Sequence, residues 1–134
     1  MRLTKATNYA LHTMLFLAVN PSDEHIGVAK LAERQQVSTT YLSKILTKLV
    51  KSGMIESVSG ANGGYKLKPG GEEVSLLEVI KAIEGLTPMF DYCLNHNPDC
   101  LIQKAIESAE EKLLDELNQT RIVDLANKMN KTSI

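Results

Sequence analysis

Residues 37–67 constrain the fold more than any other part of the chain, because a helical hydrophobic period there gives way to a glycine-rich hairpin. Leu42, Ile45, Leu46 and Leu49 recur at helical spacing and form one apolar stripe. Ser38 stands where its hydroxyl can accept an orphan backbone N–H and cap that helix. Thr39, Thr40, Ser43, Lys44, Thr47, Lys48 and Lys51 lie mostly off the stripe. Short hydroxyls at the N-terminal end and lysines further along suit a helix in a DNA major groove, the hydroxyls reaching base edges and the lysines reaching phosphates. Gly53 and Met54 break the helix. Two short strands over 55–58 and 65–67 then flank a tip made of Ser59, Gly60, Ala61, Asn62, Gly63 and Gly64. This order predicts a winged helix-turn-helix, mainly α with a small β-hairpin as the wing.

The flanking sequence supplies the rest of such a head. A first helix over 4–19 has Thr4 as its cap and Ala10, Leu11, Met14, Leu15 and Ala18 on an apolar face, and it stops at Asn20-Pro21. A second helix over 27–35 turns Val28, Leu31 and Ala32 inward. The turn into the third helix carries Gln36 where glycine often stands, which predicts a strained or altered turn. After the wing, Ser75 and Glu78 form a capping box for a helix over 75–85, with Gly85 as its stop.

A loop over 86–100 leads to the longest helix, at 101–117. Its apolar stripe is Ile102, Ile106, Ala109, Leu113 and Leu117, with Leu114 at the edge. Such a stripe needs cover. Either the first helix of the same chain or the same helix of a second subunit could provide it, and a homodimer is the favoured expectation. Thr120 is placed to cap a last short helix over 122–129. The expected organisation is a DNA-binding head at 1–86, a sensory or connecting loop at 87–100, and a dimerisation helix with a terminal helix at 101–134.

Charge is distributed as this division requires. Residues 1–69 hold 9 Lys/Arg and 4 Asp/Glu, whereas residues 70–134 hold 6 and 12, although the whole chain carries only −1. A basic front half and an acidic back half fit a head that meets phosphate and a tail that faces away from it. The run 14–19 is too short to span a membrane and no signal peptide is read, so a cytoplasmic protein with no membrane partner is expected.

The segments YLSKILTKLVKSGMIESVSGANGGYKL, MRLTKATNYAL and VSLLEVIKAIEG together resemble the IscR-like family of bacterial winged-helix regulators over about residues 1–86, and VDLA continues the likeness more loosely. The resemblance implies a homodimeric repressor or dual regulator on partly palindromic double-stranded DNA. Many such proteins sense iron–sulfur status, nitric oxide or thiol metabolites. Carried over, it puts Ser38, Thr40, Tyr41 and Lys48 at recognition-helix contacts and residues 60–64 at a wing tip close to the minor groove. Two positions depart from the family pattern: Ser59 replaces an arginine that often enters the minor groove, and Ser43 replaces a glutamate that can read cytosine.

The sensory segment departs further. Cluster-binding members place three cysteines before the dimerisation helix, whereas this chain has only Cys93 and Cys100, in CLNHNPDC, with His96 between them. One branch adds an acidic ligand near the start of the first helix, where Asn8 stands here. Cys93 and Cys100 are open to three readings: a thiol switch, part of a metal or iron–sulfur site, or two cysteines without a sensory role. No cofactor is the expectation, since CLNHNPDC matches no zinc spacing.

Two rival functions are weighed against DNA binding. An enzyme would need a catalytic grouping, but His12, His25 and His96 have no convincing partners, and residues 60–64 lack the Lys-Ser/Thr of a P-loop. A winged helix used only for protein contact would tolerate acids on its recognition face, yet no acidic residue occurs from Ser38 to Gly53.

Overall fold

The computed structural model describes residues 2–21, 23–88 and 97–129. Among these residues, six helices and one hairpin follow in the order α1 (Lys5–Val19), α2 (Val28–Gln35), α3 (Thr39–Lys51), β1 (Ile55–Val58), β2 (Gly64–Leu67), α4 (Leu76–Glu84), α5 (Leu101–Gln119) and α6 (Ile122–Ala126), with a 3-10 turn at Gly71–Glu73. A mainly helical chain with a two-stranded antiparallel wing is the architecture the sequence predicts.

Helix α1 is the centre of the head and touches α3, α4, α6 and β2. The Thr4 hydroxyl caps it by accepting from the Thr7 N–H at 3.3 Å. Ala10 and Met14 are fully buried as expected, but Phe16, Leu17 and Val19 are buried as well, while Leu11, Leu15 and Ala18 are only half-buried. A helix packed on several sides has no single apolar stripe. Buried polar groups on α1 are satisfied locally: the Thr13 hydroxyl donates to the Tyr9 carbonyl at 2.8 Å and accepts from the Gln35 amide at 2.8 Å.

The turn between α2 and α3 uses Gln36 in the left-handed region, φ 56° and ψ 46°, and its N–H reaches back to close α2. Among the described residues Gln36 is the one non-glycine with positive φ. The altered turn expected from the missing glycine is therefore a normal left-handed closure forced on a side-chain-bearing residue.

In the wing, Ile55 pairs with Leu67 and Val58 with Gly64, so β2 starts one residue earlier than periodicity suggests. The turn is closed by the Gly63 N–H donating to the Gly60 carbonyl at 3.0 Å. Ile26 adds a further rung outside the hairpin, exchanging two 2.8 Å backbone hydrogen bonds with Tyr65. That rung ties the wing to the start of α2.

The C-terminal part leaves the head and returns to it. Ser75 caps α4 in a full capping box with Glu78, and Gly85 (φ 71°) ends the helix. After α5, the Leu76 N–H donates to the Thr120 carbonyl and the Ile122 N–H to the Val74 carbonyl, each at 2.9 Å. Ile122 is fully buried in the head core. Thr120 does not cap α6: it closes α5, its hydroxyl donating to the Glu116 carbonyl at 2.9 Å. Arg121 is the residue before α6, with its N–H on the Asp124 carboxylate at 2.9 Å, and α6 ends at Ala126 rather than 129. Among the described residues, no helix is long and apolar enough to cross a membrane.

Candidate nucleic-acid interface

Helix α3 buries Leu42, Ile45, Leu46 and Leu49 in the head core and turns its other side outward. Thr39, Thr40, Tyr41, Lys44, Thr47, Lys48 and Lys51 are exposed, and Ser43 is half-buried. Ser38 accepts from the Tyr41 N–H at 3.1 Å, so its hydroxyl oxygen serves as the cap. The Thr47 hydroxyl donates to the Ser43 carbonyl at 2.8 Å, which commits its proton to the helix and leaves its oxygen as an acceptor. Thr39 and Thr40 keep hydroxyls at the exposed N-terminal end, the part of a recognition helix that meets base edges.

Tyr41 stands edge-on to Tyr9 of α1, with ring centroids 5.8 Å apart at 87°. This T-shaped pair fixes the ring of an exposed recognition-helix residue from outside that helix. The Gln35 amide also donates to the Tyr9 carbonyl at 3.2 Å, so α1, α2 and α3 meet around Tyr9. Sequence reading passed over Tyr9, because a cross-helix aromatic pair leaves no trace in the spacing of either helix.

The lysines divide into two sets. Lys44, Lys51 and Lys68 are exposed. Lys48 is exposed too, but its ammonium donates to the Ile83 carbonyl at the end of α4, at 3.2 Å. The Lys66 ammonium donates to the Asp23 carbonyl at 3.3 Å and lies 3.6 Å from the Glu56 carboxylate, which His25 Nε2 also approaches at 3.6 Å. Lys66 thus neutralises an acid on the wing's own strand, and its charge is not presented alone to solvent.

At the wing tip, Ser59, Gly60, Ala61 and Asn62 are exposed, whereas Gly63 and Gly64 are half-buried. A Cβ on Gly63 would fall 2.1 Å from the Val58 carbonyl oxygen. These two glycines are needed for the hairpin to close against itself and against Ile26, while the four residues before them form the surface a groove could meet.

Helix α5 has no buried residue. Leu101 is 80% exposed, Ile102 69%, and Ile106 and Leu113 37% each, with Ala109 exposed too; of the apolar residues, Leu114 and Leu117 are half-covered, and α5 touches α4. Within the subunit α1 packs on α3, α4 and α6 and leaves this stripe uncovered. Cys100 is the cap residue of α5, its sulfur accepting from the Gln103 N–H at 3.5 Å. Cys93 and His96 lie outside the described residues. Among the described residues, no three His, Cys, Asp or Glu side chains gather in a way that could hold a metal ion.

Comparison with known proteins agrees with this geometry. Residues 3–128 match the Rrf2 family, described as iron-dependent transcriptional regulators. The HTH-type transcriptional regulator NsrR of Halalkalibacterium halodurans is 33% identical over 132 residues, which is 93% of this chain and 90% of that protein. The crystal structure of the oxidized form of Staphylococcus aureus CymR is 28% identical and superposes with a TM-score of 0.79, over 97% of this chain and 99% of that one. The IscR of T. potens, at 23% identity, has the same fold, with a TM-score of 0.77 over 100% of this chain and 92% of that one.

Proposed function

The chain belongs to the Rrf2 family of transcriptional regulators, and on that premise we propose that this DNA-binding regulator acts as a homodimeric repressor on a partly palindromic duplex, in the cytoplasm, under thiol control. The observation that carries the reading is the outward side of α3: Thr39, Thr40, Lys44, Thr47 and Lys51 exposed, no acid on the helix, and an exposed wing tip beyond it. Phosphate contacts from lysines position such a head, and hydroxyls read base edges.

The dimer follows from α5. Its uncovered stripe of Ile102, Ile106, Ala109 and Leu113 is continuous with the half-covered Leu117, and a second copy of α5 is its natural cover. Full burial contributes about 1.5–3 kcal/mol per large apolar side chain. In this scheme residues 1–86 bind DNA, 87–100 connect and sense, and 101–134 dimerise while α6 docks back on the head. Two heads held this way would meet half-sites about 34–36 Å apart, one turn of DNA.

The signal enters at Cys93 and Cys100. Cys100 begins α5, so a bond between these thiols would act on the start of the dimerisation helix. An iron–sulfur cluster does not fit the donors of this chain: two cysteines stand in place of three, and Asn8 offers a neutral amide where one branch uses a carboxylate. No step is assigned to a cluster. The test is selection of bound duplexes from a random-sequence pool, followed by a gel shift on the selected sequence with untreated and peroxide-treated protein. A palindromic selected site, bound two subunits at a time and released on oxidation, is the expected result. Failure to select any sequence would overturn the reading.

A further inference from the structure

We propose that the Lys48 ammonium has two competing partners, the Ile83 carbonyl and a DNA phosphate, and so couples the recognition helix to the segment that follows α4. The proposal rests on the DNA-binding reading above. At roughly 3.6 residues per turn, Lys48 falls between Lys44 on the exposed side of α3 and Ile45 on its buried stripe. From that edge its flexible stem reaches α4, where the ammonium donates to the Ile83 carbonyl at 3.2 Å. The last carbonyls of a helix lack intrahelical partners and carry partial negative charge, so a cation there is favourable. Gly85 ends α4 directly afterwards, its N–H returning to the Lys81 carbonyl at 2.9 Å.

A second fastening acts on the same turn. The Thr4 hydroxyl, which caps α1, also donates to the Glu84 carboxylate. One side chain from the recognition helix and one from the cap of α1 therefore hold the end of α4. Thr4 has no charge for phosphate to attract, whereas Lys48 has one. When phosphate takes the ammonium, the Ile83 carbonyl loses its cation and the end of α4 loosens. The coupling is reciprocal: whatever pulls the end of α4 away from α3 frees Lys48 for DNA, and whatever presses it home withholds the charge.

Hydrogen exchange by mass spectrometry on the full chain reads both halves. In free protein, Lys48→Met should speed exchange of the amides at 83–87 by about two- to fivefold, the scale of a cation at a helix C-terminus. Lys48→Arg, which keeps a cation, should restore the parent rate. Binding a duplex selected by the protein itself should speed the same amides in the parent and leave those of Lys48→Met unchanged. Unaltered exchange in free Lys48→Met, or parent amides that stay constant or slow down on DNA, would overturn the proposal. If no duplex is selected, the DNA-binding reading fails and the competition fails with it, while the free-protein arm still reports separately whether Lys48 fastens α4.

Discussion

Gly64 and Ile26 approach so closely that a Cβ on Gly64 would stand 2.3 Å from the Ile26 carbonyl oxygen. Gly64 also has φ +140°, which side-chain-bearing residues rarely adopt. Both effects act where the wing is fastened to the start of α2. Gly64→Ala is expected to cost about 1–3 kcal/mol of stability, read as a lower urea midpoint with an unchanged slope. It should also weaken DNA binding, although no atom of α3 is altered.

Gln36 predicts the opposite sign. Its left-handed backbone carries a strain of about 1–2 kcal/mol in a residue with a Cβ. Gln36→Gly removes that strain and adds freedom to the unfolded chain, so a net gain of up to about 1 kcal/mol is expected. Thermal unfolding of the two proteins at one concentration checks it, and a lower melting temperature for Gln36→Gly would refute it.

Lys44 and Thr40 should separate affinity from sequence preference. Each phosphate neutralised contributes about 0.9 to the slope of log affinity against log salt. Lys44→Ala should therefore flatten the slope by about two such units per dimer while weakening all sequences alike. Thr40→Ala should keep the slope and narrow the gap between selected and random duplexes. Titration at several salt concentrations distinguishes the two outcomes.

Ile106→Glu places a charge in the centre of the uncovered stripe of α5. If a second α5 covers that stripe, light scattering should show a monomer and operator affinity should fall at least about tenfold, since a loss of 1.4 kcal/mol is enough. A variant that remains dimeric would place the subunit contact elsewhere.

Cys93→Ser and Cys100→Ser test the thiol switch. After mild peroxide, mass spectrometry of the parent should show a bridge between the two cysteines, and operator binding should fall. Both variants should stay bound. If both respond to oxidant as the parent does, the switch lies in other chemistry.

Much of the head was legible because its signals are local. Thr4, Ser38 and Ser75 announce helix starts through their own hydroxyls, and all three accept the expected backbone N–H. The stripe of α3 reads directly as core because one side of that helix is covered and the other is not. Features that depend on two distant segments were hidden. A one-residue rung such as Ile26 on Tyr65 has no period to detect, and the reach of Lys48 to Ile83 spans 35 positions. Thr120 was misread for a related reason: a threonine between two helices can close the first or open the second, and only the backbone path through Val74 and Leu76 decides which.

The two backbone bonds beside Ser75, from Leu76 to Thr120 and from Ile122 to Val74, pin both ends of the 76–120 excursion at one place on the head. Helix α5 is consequently anchored to the head at its C-terminal end. Its 19 residues make an arm of about 28 Å at 1.5 Å per residue. A tilt of about 10° at that anchor would sweep Leu101 and the adjoining Cys100 through about 5 Å over such a length. In the dimer proposed above, a displacement at Cys100 would therefore move the paired helices about that anchor, a longer path at Leu101 becoming a shorter one where α5 meets the head.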